Sequence, residues 1–259
     1  MLFADGKRPS RAAIREFVAT QSDTSVTHDP SQGASLHLVA ADGESIPATE
    51  TDEAKVGDTV WLELLRAGLT FDLEGLAPGP ATVFPSVEHR FDLEEMPGPA
   101  RFDAICLTPS QHLTGGQRTM PVAKAIIALA RDLIHHFDDL EAVVWSPSNA
   151  AIGRRFFESI STAWLDGGAF PALGLTAFKE TIDGAIQSVG LDFWLDQELR
   201  IEPPLSSDKV GATRLGVRLV NQLIILGGVD ESERIVAPDG TRLILRPSRN
   251  GKFIRVWRE

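Results

Sequence analysis

The stretch ERIVAPDGTRLILRPSRNGKFIRVW, Glu233 to Trp257, constrains the fold more than any other part of this chain. Apolar and polar residues alternate there with the two-residue period of a strand that buries one face. Turn residues interrupt the alternation at Pro238-Asp239-Gly240 and at Asn250-Gly251, and Asn-Gly between alternating segments is the strongest short-range signal for a hairpin. The stretch therefore reads as an antiparallel meander. With Asn250-Gly251 as a two-residue loop, Arg246 opposes Arg255, Leu245 opposes Val256 and Ile244 opposes Trp257. Leu243, Leu245, Pro247, Ile254 and Val256 then share a core face, while Arg242, Ile244, Arg246, Phe253, Arg255 and Trp257 share the other. Like charges directly across strands repel, so Arg246 and Arg255 call for an anionic neighbour. Three sources are open: the acidic first third of the chain, a second subunit, or a nucleic-acid single strand whose bases stack on Phe253 and Trp257.

Elsewhere the pattern is helical or mixed. Ala13, Ile14, Phe17 and Val18 share a helix face after Pro9-Ser10, and DTVWLELLRAGLTFDLEGL reads as two strands joined near Ala67-Gly68. SLHLVA alternates ahead of an Asp42-Gly43 turn. From Arg101 the order becomes strand (RFDAICL), helix (Thr119 to Phe137), strand (LEAVVWS), helix (Asn149 to Leu165), a βαβα beginning. It does not continue as a parallel array, because Phe170 to Trp194 reads as two strands meeting at Asp183-Gly184. A further helix opens at Ser206-Ser207-Asp208 and closes at Gly227-Gly228, matching cap chemistry. The fold class is α+β: a mixed, largely antiparallel sheet packed by three or more helices, with a C-terminal β-meander. A proline-rich span ending at Met96 to Ala100 divides an acidic N-terminal helix plus β-rich region, 1–99, from an α+β region, 100–259, unless both form one continuous domain.

Charge and composition limit the function. The formal charge is −11, with thirteen acids against three bases from Asp42 to Glu95, but three acids against seven bases from Glu233 to Glu259. That balance argues against a nucleic-acid partner, which needs a basic field, and places intramolecular or subunit pairing first for the hairpin arginines. No apolar run is long enough to span a bilayer, and the start lacks a secretory signal. Cys106 is the single cysteine, which excludes an internal disulfide and a cysteine-based zinc cluster. A cytoplasmic setting without a membrane association is expected.

QHLTGGQRTMPVAKAII, Gln111 to Ile127, resembles a ligand turn: His112, Gly115-Gly116 and Arg118 precede a helix, whose N-terminal amides attract anions. It lacks a Walker or dinucleotide-binding pattern. His135-His136 lies in the helix's last turn and reads as helix-end chemistry; without His-x-x-x-His or Glu-x-x-His spacing, no metal and no cofactor are expected. Gly174, Leu175, Phe178 and Glu180, downstream of the Trp145 strand, resemble a poorly characterised bacterial family defined as a domain of unknown function, over roughly residues 102–202. That resemblance implies no catalytic residue. The expectation is a non-catalytic bacterial binding or interaction module, with a small anion, a protein partner or a second copy as its ligand. The alternative is a hydrolase using carboxylates and His112 near Gly115-Gly116.

Overall fold

The computed structural model describes residues 1–32, 59–237 and 239–259. In chain order it contains β1 (Leu2–Ala4), α1 (Arg11–Ala19), β2 (Thr24–His28), β3 (Trp61–Arg66), β4 (Leu69–Glu74), β5 (His89–Phe91), β6 (Phe102–Ala104), β7 (Cys106–Pro109) and α2 (Met120–His136). There follow β8 (Leu140–Trp145), β9 (Ala150–Gly153), α3 (Arg154–Leu165), the short α4 (Ala172–Leu175), β10 (Ala177–Glu180) and β11 (Ile186–Val189). The chain ends with the short α5 (Asp192–Leu195), β12 (Glu198–Ile201), α6 (Lys209–Leu226), β13 (Glu233–Val236), β14 (Arg242–Pro247) and β15 (Phe253–Arg258). This is an α+β fold with a closing meander. The expected strand at SLHLVA and its Asp42-Gly43 turn lie outside the described residues.

The chain divides into two compact units, each discontinuous in sequence: Met1–Phe84, Pro99–Gln117 and Pro121–Leu140, and then Pro85–Gly98, Arg118–Met120 and Glu141–Glu259. In the first unit β2, β3, β4 and β7 form an antiparallel sheet in that order, and β1 pairs antiparallel with β6. Ala67 and Gly68 both take positive φ, 51° and 78°, the backbone that a two-residue hairpin turn demands. Alternation then sends Leu62, Leu64, Phe71 and Leu73 fully inward. Arg66 follows them in, only 7% exposed. Its guanidinium pairs with Asp132 of α2 at 2.6 Å and Asp23 at 3.1 Å, the compensation a buried charge requires.

Two local expectations fail here. RFDAICL does not run as one strand: β6 pairs with β1 while β7 pairs with β4, and Ile105 lies between them. Nor does a helix begin at Asn149. That residue turns the chain at φ 47°, Ala150–Gly153 returns beside β8 as antiparallel β9, and α3 starts at Arg154. Buried apolar residues, Ala150, Ala151 and Ile152 at 0% exposure, suit a covered strand as well as a helix, and the cross-strand partner decides between them.

In the second unit β5 pairs parallel with β9, and a six-stranded sheet runs in the order β10-β11-β12-β15-β14-β13. Every pairing in it is antiparallel except β12 with β15. The terminal hairpin has the register read from sequence, Arg246 with Arg255, Leu245 with Val256 and Ile244 with Trp257. Its corner differs in detail. The Gly251 amide donates to the Ser248 carbonyl at 2.9 Å, placing Arg249 and Asn250 at the bend and Gly251 at φ 68°.

Helix α6 covers one face of this sheet. Asp208 caps its start by accepting from the Gly211 amide, and left-handed Gly227 ends it. Ala212, Gly216, Leu219, Val220 and Leu223 point inward. Gly216 admits the Phe178 ring; a Cβ there would lie 2.5 Å from its Cε1 atom. Gly174 sits at φ 106°, and its carbonyl accepts the Ser148 hydroxyl at 2.9 Å. Gly174 and Phe178 thus have packing roles. Gly216→Val should lower the unfolding free energy by about 2 kcal/mol through overpacking. Phe178→Leu in the same chain should recover part of that loss, a non-additivity that denaturant melts of the double-mutant cycle would show.

Candidate functional site

The turn before α2 is built from internal bonds. Gln111–Leu113 is a 3-10 turn, the Gly116 amide donates to the Leu113 carbonyl at 2.9 Å, and Gly115 sits at φ 91° with open space around it. His112 joins its Nε2 to the Thr70 hydroxyl at 2.5 Å, while the Ser110 hydroxyl donates to Asp72. His112, Ser110 and Asp72 line a depression of about 420 Å³ with Trp61, Glu63 and Gln111. Among the described residues no hydrogen bond joins His112 to Ser110 or to a carboxylate; the hydroxyl partner of His112 is Thr70, and Ser110 is held by Asp72. Arg118 belongs to the second unit. Its Nε donates to the Phe193 carbonyl at 2.8 Å, its Nη1 pairs with Asp196 at 2.7 Å, and its guanidinium stands 5.5 Å from the Phe193 ring centre. His112, Gly115 and Gly116 lie in one unit and Arg118 in the other, and the bonds of His112, Gly116 and Arg118 described above each stay within their own unit.

The hairpin residues form a larger constellation. Because α6 takes the apolar face, Phe253, Arg255 and Trp257 of β15 point the other way, as alternation requires. Successive registers place Lys179, Gln187, Arg200, Arg255 and Arg246 side by side across five neighbouring strands. At about 4.8 Å per strand this row is about 19 Å long. Trp257 and Ile244 flank it on one side and Phe253 on the other; all three are half-buried. The guanidinium of Arg255 also stands 4.9 Å from the Trp257 ring centre.

The row carries four cations and, among the described residues, meets two acids. Glu202, 4% exposed, accepts Nε of Arg200 at 2.9 Å and Nε of Arg255 at 2.5 Å on one carboxylate oxygen. That hydrogen bond raises the Arg255 pKa further. Asp183 takes the other arm of Arg200. Among the described residues Arg246 reaches only the Ser232 hydroxyl, at 3.3 Å. The anionic neighbour of Arg255 therefore lies within the same unit, at a residue that sequence pairing does not reveal. Lys179, Arg200 and Glu202 were all beyond the hairpin's own pattern; the only local signal was the alternation ELRIE, Glu198 to Glu202.

Glu198, at the start of β12, has a separate environment. Its carboxyl accepts the Ser188 hydroxyl and the amides of Gly190, at 2.7 Å, and Leu191, at 3.3 Å. Burial raises its pKa to about 7, opposed by the Ser188 hydroxyl and the Gly190 amide and reinforced by the neighbouring Asp192. Among the described residues no three His, Cys, Asp or Glu side chains converge as a metal-binding group, and no helix is long and apolar enough to cross a membrane. A scan against protein-family models and searches of curated proteins and of solved structures each returned no match.

The Glu198 environment fixes the sign of a pH dependence. A carboxyl with a folded pKa near 7 and an unfolded one near 4.5 binds more protons when folded across that interval. Its contribution is complete below pH 4.5 and is lost as pH rises through 7. Stability should fall by an amount on the order of 2 kcal/mol from this group as pH rises from 5 to 8. Urea melts of Glu198→Gln across the same range should show a flatter profile; a slope equal to the parent's would assign the dependence elsewhere.

Proposed function

We propose that this chain is a non-catalytic interaction module whose open sheet face takes an acidic, ring-bearing segment of a partner protein. One observation carries the reading: the row of Lys179, Arg200, Arg255 and Arg246 holds more positive charge than Glu202 and Asp183 neutralise. Packing like charges across adjacent strands is unfavourable, and an extended acidic segment laid along the row relieves it. Phe253, Trp257 and Ile244 supply apolar contact beside Arg255 and Arg246, the mix of aromatic anchor and arginine that protein interfaces favour. Arg242 and Val236 extend the face, both exposed and opposite one another in β14 and β13.

A short peptide suits the electrostatics better than a nucleic-acid strand. The whole chain carries −11, a field that opposes a polyanion at long range. A few carboxylates docking within a Debye length of the row, about 8 Å at physiological salt, respond mainly to the local cations.

Fluorescence anisotropy with a labelled twelve-residue peptide of alternating Glu and Phe tests it. The parent should bind, and Arg242→Glu with Arg246→Glu should weaken binding by about tenfold with an unchanged melting temperature. Equal binding by parent and variant would remove the face from consideration. Tighter retention of an oligothymidylate of the same length would make the face a single-strand platform and the proposal wrong.

A further inference from the structure

On the helix-covered side of the same sheet, α6 and the β13–β14 turn enclose a cleft of about 340 Å³. Arg214 and Arg218 reach it from successive turns of α6 and Arg258 from the end of β15. Residues four apart share a helix face, and like charges there repel. Among the described residues none of the three guanidiniums has an ion-pair or hydrogen-bond partner; Arg258 feels Asp239 only as a nearby charge. The three arginines are solvent-exposed, and with Asp208 and Asp239 at the border of the same cleft three cations against two acids leave one positive charge in excess, a local field that draws an anion in a chain of overall charge −11.

The remaining lining narrows the chemistry. Ala212, Leu215 and Leu243 give the cleft an apolar floor. Asp208 and Asp239 also border it, and each already uses one oxygen on a backbone amide: Gly211 at 3.0 Å and Thr241 at 2.9 Å. Their other oxygens can accept from hydroxyl or amino donors, whereas a second anionic group near them would be repelled. At about 30 Å³ per water the space equals about eleven waters, far more than a bare phosphate fills and at the lower end of small-molecule sites. Guanidinium forks match phosphate oxygens in pairs.

We propose that this cleft binds a phosphomonoester with a hydroxylated, partly apolar body, of the size of a nucleoside monophosphate. The phosphate lies among Arg214, Arg218 and Arg258, the body rests on Leu215 and Leu243, and its hydroxyls reach Asp208 or Asp239. This site is independent of the open sheet face.

Calorimetric titration of the full chain with AMP, glucose 6-phosphate, inorganic phosphate and adenosine tests the assignment. AMP should bind at least about tenfold more tightly than inorganic phosphate, and adenosine should not bind. Glucose 6-phosphate matching AMP would identify a sugar phosphate as the source of the shared chemistry, and weaker binding would identify a nucleotide. Arg214→Ala with Arg218→Ala should abolish AMP binding while melting no lower than the parent, since it removes a repulsion. Inorganic phosphate binding as tightly as AMP would overturn the organic body. No binding of either, or undiminished binding by the double variant, would overturn the cleft as a site. Arg242→Glu with Arg246→Glu should leave AMP binding unchanged, so failure here and failure of the sheet-face reading are separable.

Discussion

The shared carboxylate oxygen of Glu202 is the contact on which the larger sheet depends. It sits at the junction of β12 and β15, the one parallel pairing among antiparallel neighbours, where Arg200 and Arg255 stand directly opposite. Two guanidiniums brought that close in a sheet repel unless an anion lies between them. Glu202 supplies it from 4% exposure, and the Glu202 amide donates to the Val256 carbonyl at 3.0 Å, which fixes the backbone as well as the charge. A buried carboxylate is tolerated when its lone pairs are spent on charged donors. Removing it would leave two arginines facing each other at the sheet centre.

That junction also separates two faces of different chemistry. Toward α6 the strands present Leu199, Ile201, Leu245, Ile254 and Val256, all nearly or fully buried, and Gly216 lets the Phe178 ring in close. Gln197 fastens the chain leaving α6 by bonding both the amide and the carbonyl of Val229 at 3.0 Å. Away from α6 the same strands expose cations between rings. Alternation along each strand makes this division unavoidable once one face is buried. Basic patches on an acidic chain also favour selectivity, because complementary charge guides the encounter while the net field turns away indiscriminate polyanions.

The local pieces follow from residues that are neighbours along the chain. The caps at Ser10 and Asp208, the helical spacing in α1, α2 and α6, and the register and core face of the terminal hairpin are set by residues within a few positions of one another. What those pieces meet depends on contacts between distant segments. RFDAICL serves two pairings because β1 and β4 each claim part of it; Ala150–Gly153 is a strand because β8 lies alongside. His112 and Arg118, close in sequence, have their bonds to Thr70 and to Asp196 in different units. The basic row required β12, 53 residues before β15 at the Glu202–Arg255 bond, and the arginine cleft required α6 to meet the end of β15. Periodicity and turn chemistry act over a few residues, whereas parallel pairing and helix docking join segments whose separation leaves no local pattern to read.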